Sequence, residues 1–163
     1  MEIRIATKAD EPALTAIDEA SHAPDVTPAP APDPGRTVFD GRARARPENT
    51  LVAVLEGRPA GLVAIVAPTP LASNRHVLEI CLLAVEPARQ GHGIGRALVE
   101  AAIAEARARG ARRLTLRVLE TNSRARRLYE AAGFEVEGVL RGEFLLAGRY
   151  VDDVLMARDL NRD

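Results

Sequence analysis

Gln90-Gly91-His92-Gly93-Ile94-Gly95-Arg96 stands between an apolar run, His76–Val85 (HVLEICLLAV), and an Ala/Leu/Ile-rich stretch, Ile94–Arg109. The run suits a buried central strand. The stretch reads as a long helix with one polar stripe, Arg96, Glu100 and Arg107, closed by Gly110 just past its last turn. Glycines between a strand and a helix let the backbone take left-handed angles and approach a ligand closely. The free N–H groups of the first helical turn, with the helix dipole, then make a seat for an anion such as a pyrophosphate. The spacing Gly91-x-Gly93-x-Gly95 is not the dinucleotide fingerprint, and no Lys-Ser/Thr follows to make a P-loop. A plain glycine turn without a ligand is the alternative reading of these residues.

Outward from this turn, strands and helices alternate. Glu2–Ala6 reads as a strand, with Asp10 as N-cap of a helix over Glu11–Ala20. Residues 21–36 carry five prolines without apolar periodicity and read as a long surface loop, followed by a short helix near Thr37–Arg46. Thr50–Glu56 and Ala60–Ala67 form a hairpin around Gly57-Arg58-Pro59. Leu114–Leu119 is a strand and Asn122–Ala132 a helix stopped by Gly133. Val136–Leu146 and Tyr150–Arg158 make a closing hairpin around Ala147-Gly148-Arg149. The order is that of a mixed α/β domain, with residues 1–163 expected to form one unit.

Composition narrows the partners. With 163 residues, 47% hydrophobic and 28% charged, the chain is long enough for a core without staples. Its net charge of −1 and its five aromatic residues give no electrostatic or stacking case for nucleic acid. No apolar run reaches the roughly 20 residues of a membrane span, and the opening MEIRIATKADE lacks a signal-peptide pattern, so a cytoplasmic location is expected. The single cysteine, Cys81, and three scattered histidines, His22, His76 and His92, make no metal site. Cys81 reads as a small buried hydrophobe.

Gln90-Gly91-His92-Gly93-Ile94-Gly95 resembles the Q/R-x-x-G-x-G/A signature of the GNAT superfamily of acyl-CoA-dependent N-acetyltransferases. Asn122-Ser123-Arg124-Ala125-Arg126-Arg127-Leu128-Tyr129-Glu130-Ala131-Ala132-Gly133-Phe134 is similar to that family's N-x-x-A-x-x-L-Y-x-x-x-G-F segment. The opening Ile3–Thr7 and the element order agree, leaving residues 21–49 outside the match. The C-terminal stretch from Gly133 to Arg158 is similar to the subset that acetylates amino acids, polyamines and ribosomal-protein N-termini. The resemblance implies a GNAT-like fold: a mixed six- to seven-stranded sheet with splayed central strands, flanked by about four helices.

It also implies direct acetyl transfer from acetyl-CoA to a primary amine of a small molecule such as an amino acid, with no metal. The alternatives are a peptide N-terminus or polyamine acceptor, a non-catalytic acyl-CoA sensor, or a nucleotide-binding regulator. On the resemblance, the backbone of Gly91, His92, Gly93, Ile94, Gly95 and Arg96, introduced by Gln90, holds the pyrophosphate. Leu83 and Val85 hold the pantetheine arm and the acetyl oxygen. Asn122 lies near the pantetheine and also suits a helix N-cap. Tyr129 protonates the leaving thiolate. Arg126 and Arg127 are within reach of the 3′-phosphate or are plain exposed arginines.

Glu79, the one charge inside Val77–Val85, is similar to the catalytic glutamate of the histone-acetylating branch; a carboxylate paired with an arginine is the other reading. Enzymes acting on ribosomal-protein N-termini carry a glutamate on the next strand, where this chain has Arg117. The acceptor is expected between the proline-rich loop and Glu143, Tyr150, Asp152 and Asp153. Open edges on the final hairpin are compatible with a homodimer.

Overall fold

The computed structural model describes residues 1–30, 35–40 and 44–161. Seven strands form one sheet in the order β1-β2-β3-β4-β5-β7-β6: β1 (Glu2–Ile5), β2 (Thr50–Leu55), β3 (Arg58–Val66), β4 (Val77–Val85), β5 (Arg113–Leu119), β6 (Glu135–Leu146) and β7 (Arg149–Asp159). Among the described residues three α-helices accompany it, α1 (Glu11–Ser21), α2 (Ile94–Ala108) and α3 (Ser123–Ala131). All pairings are antiparallel except β4 with β5. A parallel pair needs a crossover, and α2 supplies it.

Two apolar layers cover the sheet. On one face Leu98, Val99, Ala102 and Ile103 of α2 pack with Val63, Ile65, Ile80, Leu114 and Met156. On the other, Leu14 and Ile17 of α1 pack with Val52, Leu62 and Ala84. The spacing of these residues in each helix is the 3- and 4-residue step of an amphipathic face, and each such buried side chain contributes about 1.5–3 kcal/mol. Gly61 is where α2 comes closest to the sheet. A Cβ there would stand 2.9 Å from the Ala84 carbonyl and 3.0 Å from Leu98 Cδ1.

β4 changes face halfway. Ile65 pairs with Ile80, but the next residue along β3, Ala64, pairs with Leu82, so Cys81 is the extra residue of a bulge. Before the bulge Leu78 and Ile80 face α2; beyond it Leu82 and Ala84 face α1 while Leu83 and Val85 face α2. β4 and β5 pair only from Val77↔Arg113 to Ile80↔Leu116. Beyond that point β4 stays with β3 to Val85, β5 stays with β7 to Leu119, and the two central strands part.

Among the described residues of Thr37–Arg46, where a short helix is expected, no helix is present. The chain makes a turn at 38–40, and 41–43 lie outside the described residues. Tertiary bonds explain the difference: Val38 N–H donates to Thr15 Oγ1 at 3.0 Å, Thr37 Oγ1 donates to Glu11, and Val38 is buried beneath α1. Of the proline-rich loop expected over 21–36, Ser21 ends α1 and residues 22–30 and 35–36 are described; Val26 and Thr27 turn back onto the Ala23 carbonyl. The first hairpin turns at Glu56-Gly57, one residue earlier than expected. Both residues have positive φ (53° and 76°), as a two-residue turn of matching twist requires.

Asp10 does not cap α1 with its side chain. Its carboxylate turns back, accepting from the Thr7 N–H at 2.7 Å and from Arg4 through two bonds of 2.8 Å. The Arg4 guanidinium, against the opposing effect of burial, holds this carboxyl well below the usual carboxylate range.

Two outcomes follow from this packing. Gly61→Ala should destabilise the fold by about 1–3 kcal/mol, because the blocking atom is a backbone carbonyl that cannot swing aside; denaturant unfolding measures it. Asp10→Asn should cost about 1–3 kcal/mol at neutral pH. A depressed folded-state pKa means the stabilisation is present above the unfolded value near 4 and is lost as pH falls. The stability difference between wild type and variant should therefore shrink progressively as pH falls below about 5.

Candidate active site

Where β4 and β5 part, a cleft of about 520 Å³ opens through the sheet. Ile80 to Leu83 form one wall and Arg117 to Leu119 the other. Asn122, the cap of α3, with Ala125 and Tyr129 closes one side, and Asp18 and Ser21 of α1, His22 just past its end and Val26 to Ala29 of the proline-rich loop close the opposite side.

The glycine turn stands at the open end of β4. Gly91 and Gly93 have φ of 85° and 81°, and a Cβ on either would meet open space, so the turn is shaped by backbone angle and not by crowding. Gly93 is the N-cap of α2. Among the described residues the backbone N–H groups of Gly91 to Arg96 have no backbone or side-chain acceptor; the helical bonding begins with Ala97 N–H to the Gly93 carbonyl at 3.0 Å. Six adjacent donors at the positive end of a helix fit a pyrophosphate. Ile94 is buried in the core and offers that row only its backbone. His92 is exposed, its ring Nδ1 3.1 Å from the Gln90 carbonyl oxygen. Arg96 is exposed and paired with Glu100 at 2.8 Å.

Gln90 ties the turn to both neighbours. Its amide donates to the Val85 carbonyl at 3.2 Å and accepts from Arg124 of α3 at 2.6 Å. The end of β4 and the start of α3 are thus held on opposite sides of one side chain. Leu83 lies in the cleft wall, and the Val85 side chain packs beside Gly95. Asn122 caps α3, its Oδ1 accepting from Ala125 N–H at 3.1 Å, and also borders the cleft. Tyr129 is buried, its ring edge-on to Phe134 at 5.8 Å, and it reaches the cleft from the α2/α3 face. Burial pushes its phenol well above the ordinary tyrosine value.

The charged residues come from the other face. On β5 Leu114, Leu116 and Val118 face α2, so Arg117 faces α1; on β7 Val154 and Met156 face α2, so Asp153 faces α1. Glu79, on the α1 face before the bulge, accepts from Arg44 Nη2 at 2.6 Å; the other arm of Arg44 donates to the Ala67 carbonyl at 3.2 Å. Arg117 donates through Nε to Asp153 at 2.5 Å and stands 3.8 Å from Glu143. Phe144 enters the cleft because β6 carries extra residues between Leu140 and Phe144, pinned by Gly142 N–H to Asp152 at 2.7 Å. Cys81 lines the cleft with its thiol near the Ala64 carbonyl, and burial pushes that thiol up to about 11.

Of the expected acceptor residues, Asp153 and part of the proline-rich loop border the cleft. Glu143 lies behind Arg117, Asp152 is committed to Gly142, and Tyr150 is exposed beside Gly142. Arg126 pairs with Glu130 at 3.3 Å and Arg127 is exposed. Sequence reading missed Arg44 and Phe144. A carboxylate inside an apolar strand signals that a cation must meet it, but not which of the arginines does.

The model of the acetyltransferase (GNAT) family matches residues 14–134. A mycothiol acetyltransferase of Beutenbergia cavernae is 52% identical over 56 residues, which are 34% of this chain and 19% of that protein, so the match spans about a fifth of the curated relative. The crystal structure of smu.2055 from Streptococcus mutans superposes with a TM-score of 0.85 at 27% identity over 98% of this chain and 99% of that one. The structure of yncA from Salmonella typhimurium with its cofactor acetyl-CoA shares the fold, with a TM-score of 0.77 at 24% identity over 100% of this chain and 95% of that one. Family model, parted central strands and glycine turn coincide in one place, and the chain belongs to the GNAT acetyltransferase family.

Proposed function

We propose that the protein transfers the acetyl group of acetyl-CoA to a primary amine of a small molecule such as an amino acid, by direct attack on the thioester. The observation that carries this reading is the course of β4, which borders the charged cleft along Glu79–Leu83 and leads at its end into the unpaired donor row of Gly91–Arg96. The pyrophosphate would take those donors, and the pantetheine arm would run along the part of β4, Leu83 to Val85, that β5 leaves unpaired. Backbone donors fixed there meet the oxyanion without reorganising, which is worth about 3–4 kcal/mol per donor in such sites.

The amine approaches from the α1 face and the thioester from the α3 face. Glu79 takes the amine's proton, directly or through water; what supports this role is its position on the cleft's border on the α1 face. Arg44 occupies its Oε2, and its Oε1 takes no hydrogen bond among the described residues. Tyr129 protonates the departing sulfur; what supports this role is its place on the cleft's α3 side. Its raised pKa keeps the phenol protonated throughout the neutral range, so the proton is present when the thiolate forms. The same low-polarity wall that holds the phenol neutral also disfavours a bare thiolate, so transfer is favoured as the C–S bond breaks.

Thiol release from acetyl-CoA, followed across free amino acids, polyamines, aminoglycosides and short peptides, tests the reading; release with none of them overturns it in favour of an acyl-CoA sensor. Tyr129→Phe should lower kcat by about 10²-fold or more, with no alkaline limb from a tyrosine in the wild-type profile below pH 10. Glu79→Gln should lower kcat/KM by about 10²-fold. Retention of wild-type turnover by Glu79→Gln would leave proton removal to solvent.

A further inference from the structure

The two ion pairs of the acceptor pocket are layered. In each, the carboxylate is the inner member and the guanidinium the outer: the Glu79 and Asp153 side chains are 17% and 3% exposed, their partners Arg44 and Arg117 48% and 47%. Both arginines border the same cleft, Arg117 from β5 and Arg44 from the segment that crosses the end of β3. Each is held on one side only. Arg117 spends Nε and Nη2 on acidic partners, while its Nη1 makes no hydrogen bond among the described residues; Arg44 spends Nη1 and Nη2 and leaves Nε. A guanidinium fixed by a buried carboxylate keeps its planar fork in one orientation and presents its remaining N–H groups to a ligand. The other titratable side chains here are Asp18 of α1, His22 just past its end, Cys81 at the bulge of β4, and Glu143 beside Arg117; Tyr129 borders the cleft from the α3 side.

A pocket that is anionic inside and cationic at its mouth is complementary to a ligand with an amine at one end and an anion next to it. The geometry points to an acceptor that is an α-amino acid, or a close analogue with an anionic group beside its amine, whose carboxylate is received by Arg117 and Arg44 while its amine faces Glu79. This inference rests on the acetyl-transfer reading above and narrows its substrate. A polyamine brings a second cation to the two arginines, and a peptide N-terminus brings a neutral amide where the carboxylate should sit. Both leave the guanidinium donors without their charged acceptor, and charge-assisted hydrogen bonds are the strong ones.

The test compares matched acceptors that differ in one group: leucine and phenylalanine, their amides, and the corresponding decarboxylated amines, with spermidine and a tripeptide alongside. Wild-type kcat/KM should favour the amino acids over their amides and amines by about 10- to 100-fold. Arg117→Gln and Arg44→Gln should each shrink that ratio at least several-fold, through a rise in KM for the amino acid. Arg117→Lys should recover part of it. Because Arg117→Gln strands the buried Asp153, the double variant Arg117→Gln/Asp153→Asn is measured beside it, with thermal unfolding of each as a folding check. Equal turnover of amines or spermidine and amino acids, or a ratio unmoved in both arginine variants, overturns the inference and leaves acetyl transfer standing. Absence of thiol release with every acceptor removes the transfer reading itself.

Discussion

The parting of β4 from β5 after Ile80 and Leu116 is the constraint on which the rest of this molecule depends. Two neighbouring central strands normally satisfy each other's backbone groups to their ends, and leaving them unmade inside a sheet has a cost unless other partners or water take them. Here each strand retains a full partner on its outer side, β3 for β4 and β7 for β5. The break therefore strips one edge of each strand and not both, and the opening is sustained without unravelling either half of the sheet.

Several unrelated side chains hold this geometry. The Cys81 bulge turns the last residues of β4 so that Leu82 and Ala84 serve the α1 layer and Leu83 and Val85 the α2 layer. Gln90 bridges the Val85 carbonyl and Arg124, spanning the opening from strand to helix. Tyr129 and Phe134 fill the α3 side as an edge-to-face pair. The result is a passage with an apolar, neutral side and a charged side, and these two chemistries meet only where the sheet is split. A thioester prefers the first environment and a zwitterionic amine the second.

Much of this was legible in the sequence, because its causes are local. The glycine turn, the caps Asn122 and Gly133 and the long apolar strand follow from turn chemistry and periodicity within a few residues. The family segments fixed the neighbourhood of Tyr129 on the same local grounds. What stayed hidden is set by pairing across long stretches of chain. Arg44 meets Glu79 and Arg117 meets Asp153 at separations of 35 and 36 residues. The bulge is masked because Val77–Val85 is apolar on nearly every position, so a change of face leaves no mark in the pattern. Over the described part of the expected helix at 37–46, tertiary bonds from Thr37 to Glu11 and from Val38 to Thr15 replace helical ones, and Asp10 turned from the helix it precedes to Arg4.

The extra residues that β6 carries between Leu140 and Phe144 have a bearing on how such a protein can change over time. They let one strand be longer than its partner while the register on either side is kept. A change of length at that point re-aims Phe144 and, with it, Glu143, which stands 3.8 Å from Arg117 of β5. On the reading proposed above, the donor side rests on β4, α2 and the glycine turn and the acceptor side partly on this hairpin, so variation in the hairpin changes what is acetylated while the donor side is inherited.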